Sequence, residues 1–120
     1  DPFVMTSSDG SGGHPRLFGT YPRKIRRYVL DKPVISMERM IQSSLQQVAE
    51  VYGIQERGSL KAGYFADVIV FDPATIREQA TYVEPEKLST GMRWVFVNGT
   101  LAVDQSQPTG ALAGRGLRKR

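Results

Sequence analysis

Asp9 is the residue in this chain best placed to move a proton. It follows an apolar run, Phe3-Val4-Met5, and three hydroxyl residues, Thr6-Ser7-Ser8, and it opens a stretch rich in glycine and serine. That order reads as a strand, Phe3–Ser8, ending in a carboxylate where a loop begins. Open sheets and barrels keep their sites at such carboxyl ends. A carboxylate beside a water can take its proton and later return it to a leaving group. His14-Pro15-Arg16 adds a titratable ring, a fixed turn and a cation, and a planar guanidinium reads a carboxylate through two parallel hydrogen bonds. Ser7 and Ser8 have no base beside them and so fix the strand end instead of acting as nucleophiles. His14 is the only histidine, whereas metal ligands come in sets, so it is read as ordering the loop by a hydrogen bond. The plainer alternatives are that Asp9-Gly10 is only a turn and that Arg16 is an ordinary surface arginine.

The elements that must hold these residues follow in order. Thr20 can cap a helix with Pro22 in its first turn, running to about Asp31 ahead of Pro33. Ser36 caps the next, with Glu38 in its first turn and Met37, Met40, Ile41, Leu45, Val48 and Tyr52 at helical spacing. Ser44-Leu45-Gln46-Gln47 fits a capping box and would split this segment in two. Val48, which does not break a helix, favours a continuous one, closed by Gly53. The run Ala66–Asp72 is nearly continuous in β-branched and apolar residues, as a strand covered on both faces would be. The stretch from Ile76 to Gly91 has no periodicity and reads as a surface excursion with little function. Two β-rich runs around Asn98-Gly99 specify a hairpin with a type I′ turn. From Asp104 onward the composition predicts a loosely held tail.

Composition narrows the classes. At 120 residues the chain suits one domain or a piece of one, with 40% hydrophobic and 23% charged residues typical of a soluble globular chain. There is no cysteine, hence no disulfide and no thiolate metal site. No run approaches the ~20 apolar residues of a membrane span, so no membrane partner is expected. The net charge of +4 is concentrated at Arg16, Arg23, Lys24, Arg26, Arg27 and Lys32 and again at Arg115, Arg118, Lys119 and Arg120. Such clusters can bind phosphates, yet no nucleic-acid motif accompanies them. A solvated helix face and a basic tail account for both, and nucleic acid is not the expected partner. The chain starts at Asp1-Pro2, as a fragment would, and targeting is unreadable from it; a cytoplasmic location is the expectation.

Three motifs carry a family resemblance. Residues 6–23, TSSDGSGGHPRLFGTYPR, resemble the last-strand segment of the N-acyl-D-amino-acid deacylases (D-aminoacylases), a branch of the amidohydrolase superfamily. Residues 58–76, GSLKAGYFADVIVFDPATI, resemble the same family's return into its small β-domain. VFVNG at Val95–Gly99, followed by Thr109-Gly110 and Gly114-Arg115, resembles its end. The resemblance implies an α/β fold: a C-terminal fragment of a metal-dependent TIM-barrel hydrolase, with the last barrel strand and helices in 1–57. Part of a small β-sandwich domain with a basic tail would lie in 58–120.

It further implies a parent enzyme that hydrolyses the amide of N-acyl-D-amino acids with a zinc-activated water. Asp9 would be the catalytic acid–base lying against the zinc, and Arg16, with Ser8 and Gly10, would bind substrate. The acid matching Asp67 bonds a neighbouring turn in the family and holds no metal. The other zinc ligands come from earlier strands of such enzymes, so this piece alone is expected to be inert, to retain no zinc and to depend on the rest of the parent. Residues 34–104 are expected to form the ordered part, with Asp1–Gly13 mobile or paired with another copy and the chain self-associating through unpaired strand edges. Two rival readings are a dihydroorotase- or hydantoinase-like amidohydrolase, against which His14-Pro15-Arg16 and Gly19–Arg23 stand, and a non-catalytic basic binding module.

Overall fold

A computed structural model describes residues 1–118; Lys119 and Arg120 of the basic tail lie outside the described residues. The described residues form four short helical segments and an antiparallel sheet of four strands in the order β1-β2-β3-β4. The helical segments are α1 (Arg16–Arg23), a π-helix (Lys24–Asp31), α2 (Met37–Ser44) and α3 (Gln46–Tyr52). The strands are β1 (Val68–Phe71), β2 (Met92–Val97), β3 (Thr100–Asp104) and β4 (Gln107–Pro108). Ile25 of the π-helix, Met40 of α2 and Ile76 after β1 make the buried centre, with Phe71 and Met92 packed against it.

The strand expected at Phe3–Ser8 does not form, and these residues have no strand assignment. No described strand lies beside them to complete a ladder, and side chains of the helices satisfy their backbone instead. The first helix starts earlier than Thr20. Pro15 precedes it with helical angles, and the His14 ring takes the place of a cap: its Nδ1 accepts the Arg16 N–H at 3.1 Å. Thr20 sits inside α1, donating its hydroxyl to the Arg16 carbonyl at 2.8 Å. Pro22 is also internal. Lacking an N–H, it leaves the Phe18 carbonyl free, and Ser89 Oγ donates to that oxygen at 3.0 Å. The helix then widens into the π-turns ending at Asp31.

Ser36 caps α2 as read, its Oγ accepting the Arg39 N–H at 3.1 Å. Glu38's own backbone N–H, and then the Ser36 hydroxyl, hold the Glu38 carboxyl below its ordinary value. The continuous helix does not form. Leu45, at φ −125° and ψ −78°, separates α2 from α3, so the alternative carried by Ser44–Gln47 is the one realised. Gly53 closes α3 at φ 66°.

The Asn98-Gly99 turn joins β2 to β3 with φ of 49° and 81°, the pair of left-handed residues that a type I′ turn requires. β1 lies at the sheet edge and is not covered on both faces: Ile69 and Val70 are 45% and 38% exposed. The tail is more ordered than composition suggests. A second tight turn at Gln105-Ser106, again with both φ positive, folds β4 back on β3, pairing Val103 with Pro108. The excursion is also no mere surface loop. Ile76 is fully buried, Arg77 bridges Thr90, and Gly91, at φ 80°, lies so close that a Cβ there would stand 2.3 Å from the Ile76 nitrogen.

Candidate functional site

The loop from Ser7 to Arg16 gathers the residues singled out in the sequence. Asp9 projects into solvent, and its Oδ2 meets Arg16 Nη2 at 3.0 Å. Arg16 Nη2 also donates to Ser11 Oγ at 3.4 Å, while its Nε is buried without a partner. Asp9 takes a left-handed φ of 45°, and its N–H donates to Ser7 Oγ at 3.4 Å. Such a conformation suits Asp and Asn better than most residues, and it turns the chain toward α1. Gly10 lies close to α1: a Cβ there would stand 2.7 Å from Leu17 Cδ1, the movable end of that side chain, and 3.4 Å from Leu17 Cα and Ser8 Oγ. Asp9, Ser8, Gly10 and Arg16 thus lie together, with Arg16 presented by the first turn of α1.

Behind this loop a cavity of about 510 Å³ is lined by Thr6, Ser7, His14, Arg16, Lys24 and the excursion residues Glu78 and Tyr82 among others. The His14 ring meets Tyr82 edge-on, with centroids 5.2 Å apart. Glu78 Oε2 is buried and unpartnered. Nothing in the sequence marks Glu78 and Tyr82, because a stretch without periodicity gives no sign of which face it turns inward.

In the sequence Lys24 is one charge of the basic cluster. It is half-buried, and its Nζ donates to Thr6 Oγ1, to Ser43 Oγ at 2.9 Å and to Ser44 Oγ at 3.3 Å. Burial, and then the Arg39 charge, push its ammonium below the ordinary lysine value. Arg26 is likewise turned to the protein: its Nε donates to the Ile76 carbonyl at 2.9 Å, and its Nη2 donates to those of Pro73 and Ala74. Two of the six cations in the first basic cluster, Lys24 and Arg26, therefore serve internal acceptors.

Asp67 is structural in this fold. Its Oδ1 accepts the Asn98 N–H at 2.8 Å, and Arg57 pairs with its other oxygen. Burial pushes the Asp67 carboxyl up, but the Asn98 N–H, Arg57 and Arg115 outweigh it and hold it below the ordinary value. Arg57 and Arg115 both stack on the Phe65 ring, 4.2 and 4.7 Å from its centroid.

The residues present do not by themselves fit a zinc ion. Among the described residues no three of His, Cys, Asp and Glu come together, and the Asp9 carboxylate is already engaged by a guanidinium. Zinc sites need three or four good ligands. No described helix is long and apolar enough to cross a membrane.

No family model matches the chain. It is 39% identical to a D-aminoacylase of Alcaligenes xylosoxydans xylosoxydans, over 97% of this chain and 25% of that protein. A crystal structure of D-aminoacylase, described as defining a novel subset of amidohydrolases, superposes with a TM-score of 0.87 at 37% identity; it covers 92% of this chain and 24% of the other. N-acyl-D-glutamate deacylase from Bordetella bronchiseptica was solved with zinc and a phosphonate mimic of the tetrahedral intermediate. It superposes with a TM-score of 0.81 at 35% identity, over 95% and 26% of the two chains. The chain therefore spans about a quarter of the length of the relatives it matches.

Proposed function

From a chain that matches a quarter of the N-acyl-D-amino-acid deacylases over nearly all its own length, we infer that it is the C-terminal part of such an enzyme. The whole polypeptide hydrolyses the amide of N-acyl-D-amino acids. Residues 1–57 belong to the catalytic TIM barrel and 58–120 to the small β-domain, in contact through Ile25, Met40 and Ile76. Zinc, present in the related deacylase structure, supplies Lewis-acid chemistry in the whole enzyme, and its remaining ligands lie outside this chain.

The observation that carries this reading is the 3.0 Å pairing of Asp9 with Arg16. It puts a proton-transfer carboxylate beside a carboxylate-binding fork. Both side chains are partly exposed, so the pair is weak and a substrate can displace it. The substrate α-carboxylate takes Arg16, which frees Asp9 to accept a proton from the attacking water. Asp9 then returns that proton to the amide nitrogen as the C–N bond breaks, releasing the D-amino acid and the acyl carboxylate. Ser8 and Gly10 keep the loop close to α1, so that both groups face one substrate.

The test is an assay of the full-length polypeptide, supplied with zinc, on N-acetyl-D- and N-acetyl-L-amino acids. Release from the D-substrates alone is expected. A zinc-loaded enzyme that hydrolyses neither, or both equally, overturns the reading. The 120-residue chain run beside it is expected to release nothing and to self-associate by light scattering, since β1 leaves one edge unpaired.

A further inference from the structure

We propose that Tyr82 is a positioning residue for the carboxylate-binding Arg16 and acts through the His14 ring. Arg16 opens α1, and its N–H donates to His14 Nδ1 at 3.1 Å. That bond requires one orientation of the imidazole, with Nδ1 toward the helix and the neutral ring's proton on Nε2. The last torsion of a histidine side chain is soft and leaves the ring free to turn. A neighbour must therefore hold it, and the Tyr82 ring meets it at 81°, with centroids 5.2 Å apart. T-shaped pairing of this kind is directional, so it resists the rotation that would carry Nδ1 away from Arg16.

Tyr82 stands on a fixed support. The base of the excursion is closed by the Arg77–Thr90 bridge, with N–H to carbonyl distances of 3.3 and 3.0 Å, and Arg26 of the π-helix ties it down by donating to the Ile76 carbonyl. Its tip is a turn in which the Thr81 N–H donates to the Glu84 carbonyl at 3.1 Å and the Glu84 N–H to Thr81 Oγ1 at 3.0 Å. Tyr82 lies inside that turn. The excursion touches α1 twice more. Ser89 Oγ reaches the Phe18 carbonyl, and Glu78 Cβ is 3.5 Å from where a Cβ on Gly19 would stand. All of these contacts join parts of one chain and need no segment outside it. The chain also superposes on the much longer D-aminoacylase over 92% of its own length with a TM-score of 0.87, so helices and sheet keep this arrangement within a larger protein. The excursion thereby takes part in substrate binding without touching substrate.

The proposal rests on Arg16 binding the substrate α-carboxylate, and its test reads the two apart. In the full-length, zinc-loaded polypeptide, Tyr82→Ala, Tyr82→Phe and Arg16→Ala are compared on free N-acetyl-D-amino acids and on their esters, with amide exchange measured over His14–Gly19. Tyr82→Ala is expected to quicken that exchange about twofold to tenfold, the scale of losing one aromatic pair. Exchange of the Ile54 N–H, bonded to the Ala49 carbonyl at 2.8 Å, should stay put. KM for the free acids should rise by about the same twofold to tenfold, with kcat and the ester KM little changed. Tyr82→Phe, which keeps the ring, restores every readout. Added to His14→Ala, Tyr82→Ala should cost nothing further, as for residues acting in series. Unchanged exchange over His14–Gly19, equal quickening at Ile54, or full additivity with His14→Ala overturns the brace. Quickened exchange with an unchanged KM, or with equal rises on acid and ester, overturns its link to Arg16. An Arg16→Ala variant that fails to separate acid from ester removes the carboxylate reading itself, and the exchange result still decides the brace.

Discussion

Asp9→Asn separates catalysis from stability, and the structure says how far apart the two effects should be. Two unit charges 3.0 Å apart attract by about 1.4 kcal/mol in water. The Asp9 side chain is 84% exposed and that of Arg16 39%, and exposed pairs of this kind retain only about 0.2–1 kcal/mol. The left-handed φ of Asp9 adds no penalty, because Asn adopts that region as readily as Asp. The melting temperature of the full-length enzyme should therefore move by no more than about 2 °C. Activity should respond on another scale. Losing a general acid–base typically costs on the order of 10²–10⁴ in rate, so kcat on an N-acetyl-D-amino acid should drop at least about a hundredfold. The assay pairs differential scanning calorimetry with release of the free amino acid. A variant that keeps more than about a tenth of kcat removes Asp9 from proton transfer, and a large loss of melting temperature shows that the ion pair is structural.

Two further outcomes follow from the same geometry. Arg16→Ala in the full-length enzyme should mainly raise KM for free N-acyl-D-amino acids and leave substrates with an esterified carboxylate nearly unaffected; equal losses on both would make Arg16 a loop-ordering residue. The depressed carboxyl of Asp67 makes part of the stability pH-dependent: a group with a lowered folded pKa stabilises fully above the ordinary aspartate value of about 3.9 and loses that contribution as the pH falls through the folded value. The stability gap between wild type and Asp67→Asn should therefore close on acidification below about pH 4, and a gap that stays constant to roughly pH 2 would remove the ion pair as its source.

What was legible in the sequence was local chemistry. Ser36, Gly53 and Asn98-Gly99 act through their own backbone neighbours, so their types alone specify a cap, a stop and a turn. Asp67 was legible through the family motif around it. The misreadings occur where a distant side chain decides. Ser89 satisfies the carbonyl freed by Pro22, which lets α1 pass through a residue that reads as a beginning. Gln105-Ser106 makes a left-handed turn without glycine or asparagine, so β4 has no local signature. Phe3–Ser8 carries the residues of a strand, but a strand is a property of two segments, and here Arg39, Lys24 and Ser43 supply the partners. Of the site, Asp9 and Arg16 were visible because spacing places them on one short loop. Lys24, Glu78 and Tyr82 were not, because only folding brings α1, the π-helix and the segment after Ile76 around one cavity.

The β2–β3 turn bears on how this protein ages. Asn-Gly is the dipeptide most prone to deamidation, in which the glycine nitrogen attacks the asparagine side-chain carbonyl and ammonia leaves. Here the Gly99 nitrogen donates its hydrogen to the Ala66 carbonyl at 3.0 Å. The Asn98 amide is held from both ends, its Nδ2 donating to the Ala113 carbonyl at 2.7 Å and its Oδ1 accepting from Arg57 and Arg115. Ring closure would have to break these bonds together, so the fold guards its own weakest covalent site. The mass gained by Asn98 on incubation should thus accumulate faster in urea than in native buffer, and equal rates would show the turn to be unguarded. A carboxylate at position 98 cannot donate to the Ala113 carbonyl, so each altered molecule loses one of its bonds to the tail while still accepting from Arg57 and Arg115, and the damage marks chains that have spent time unfolded.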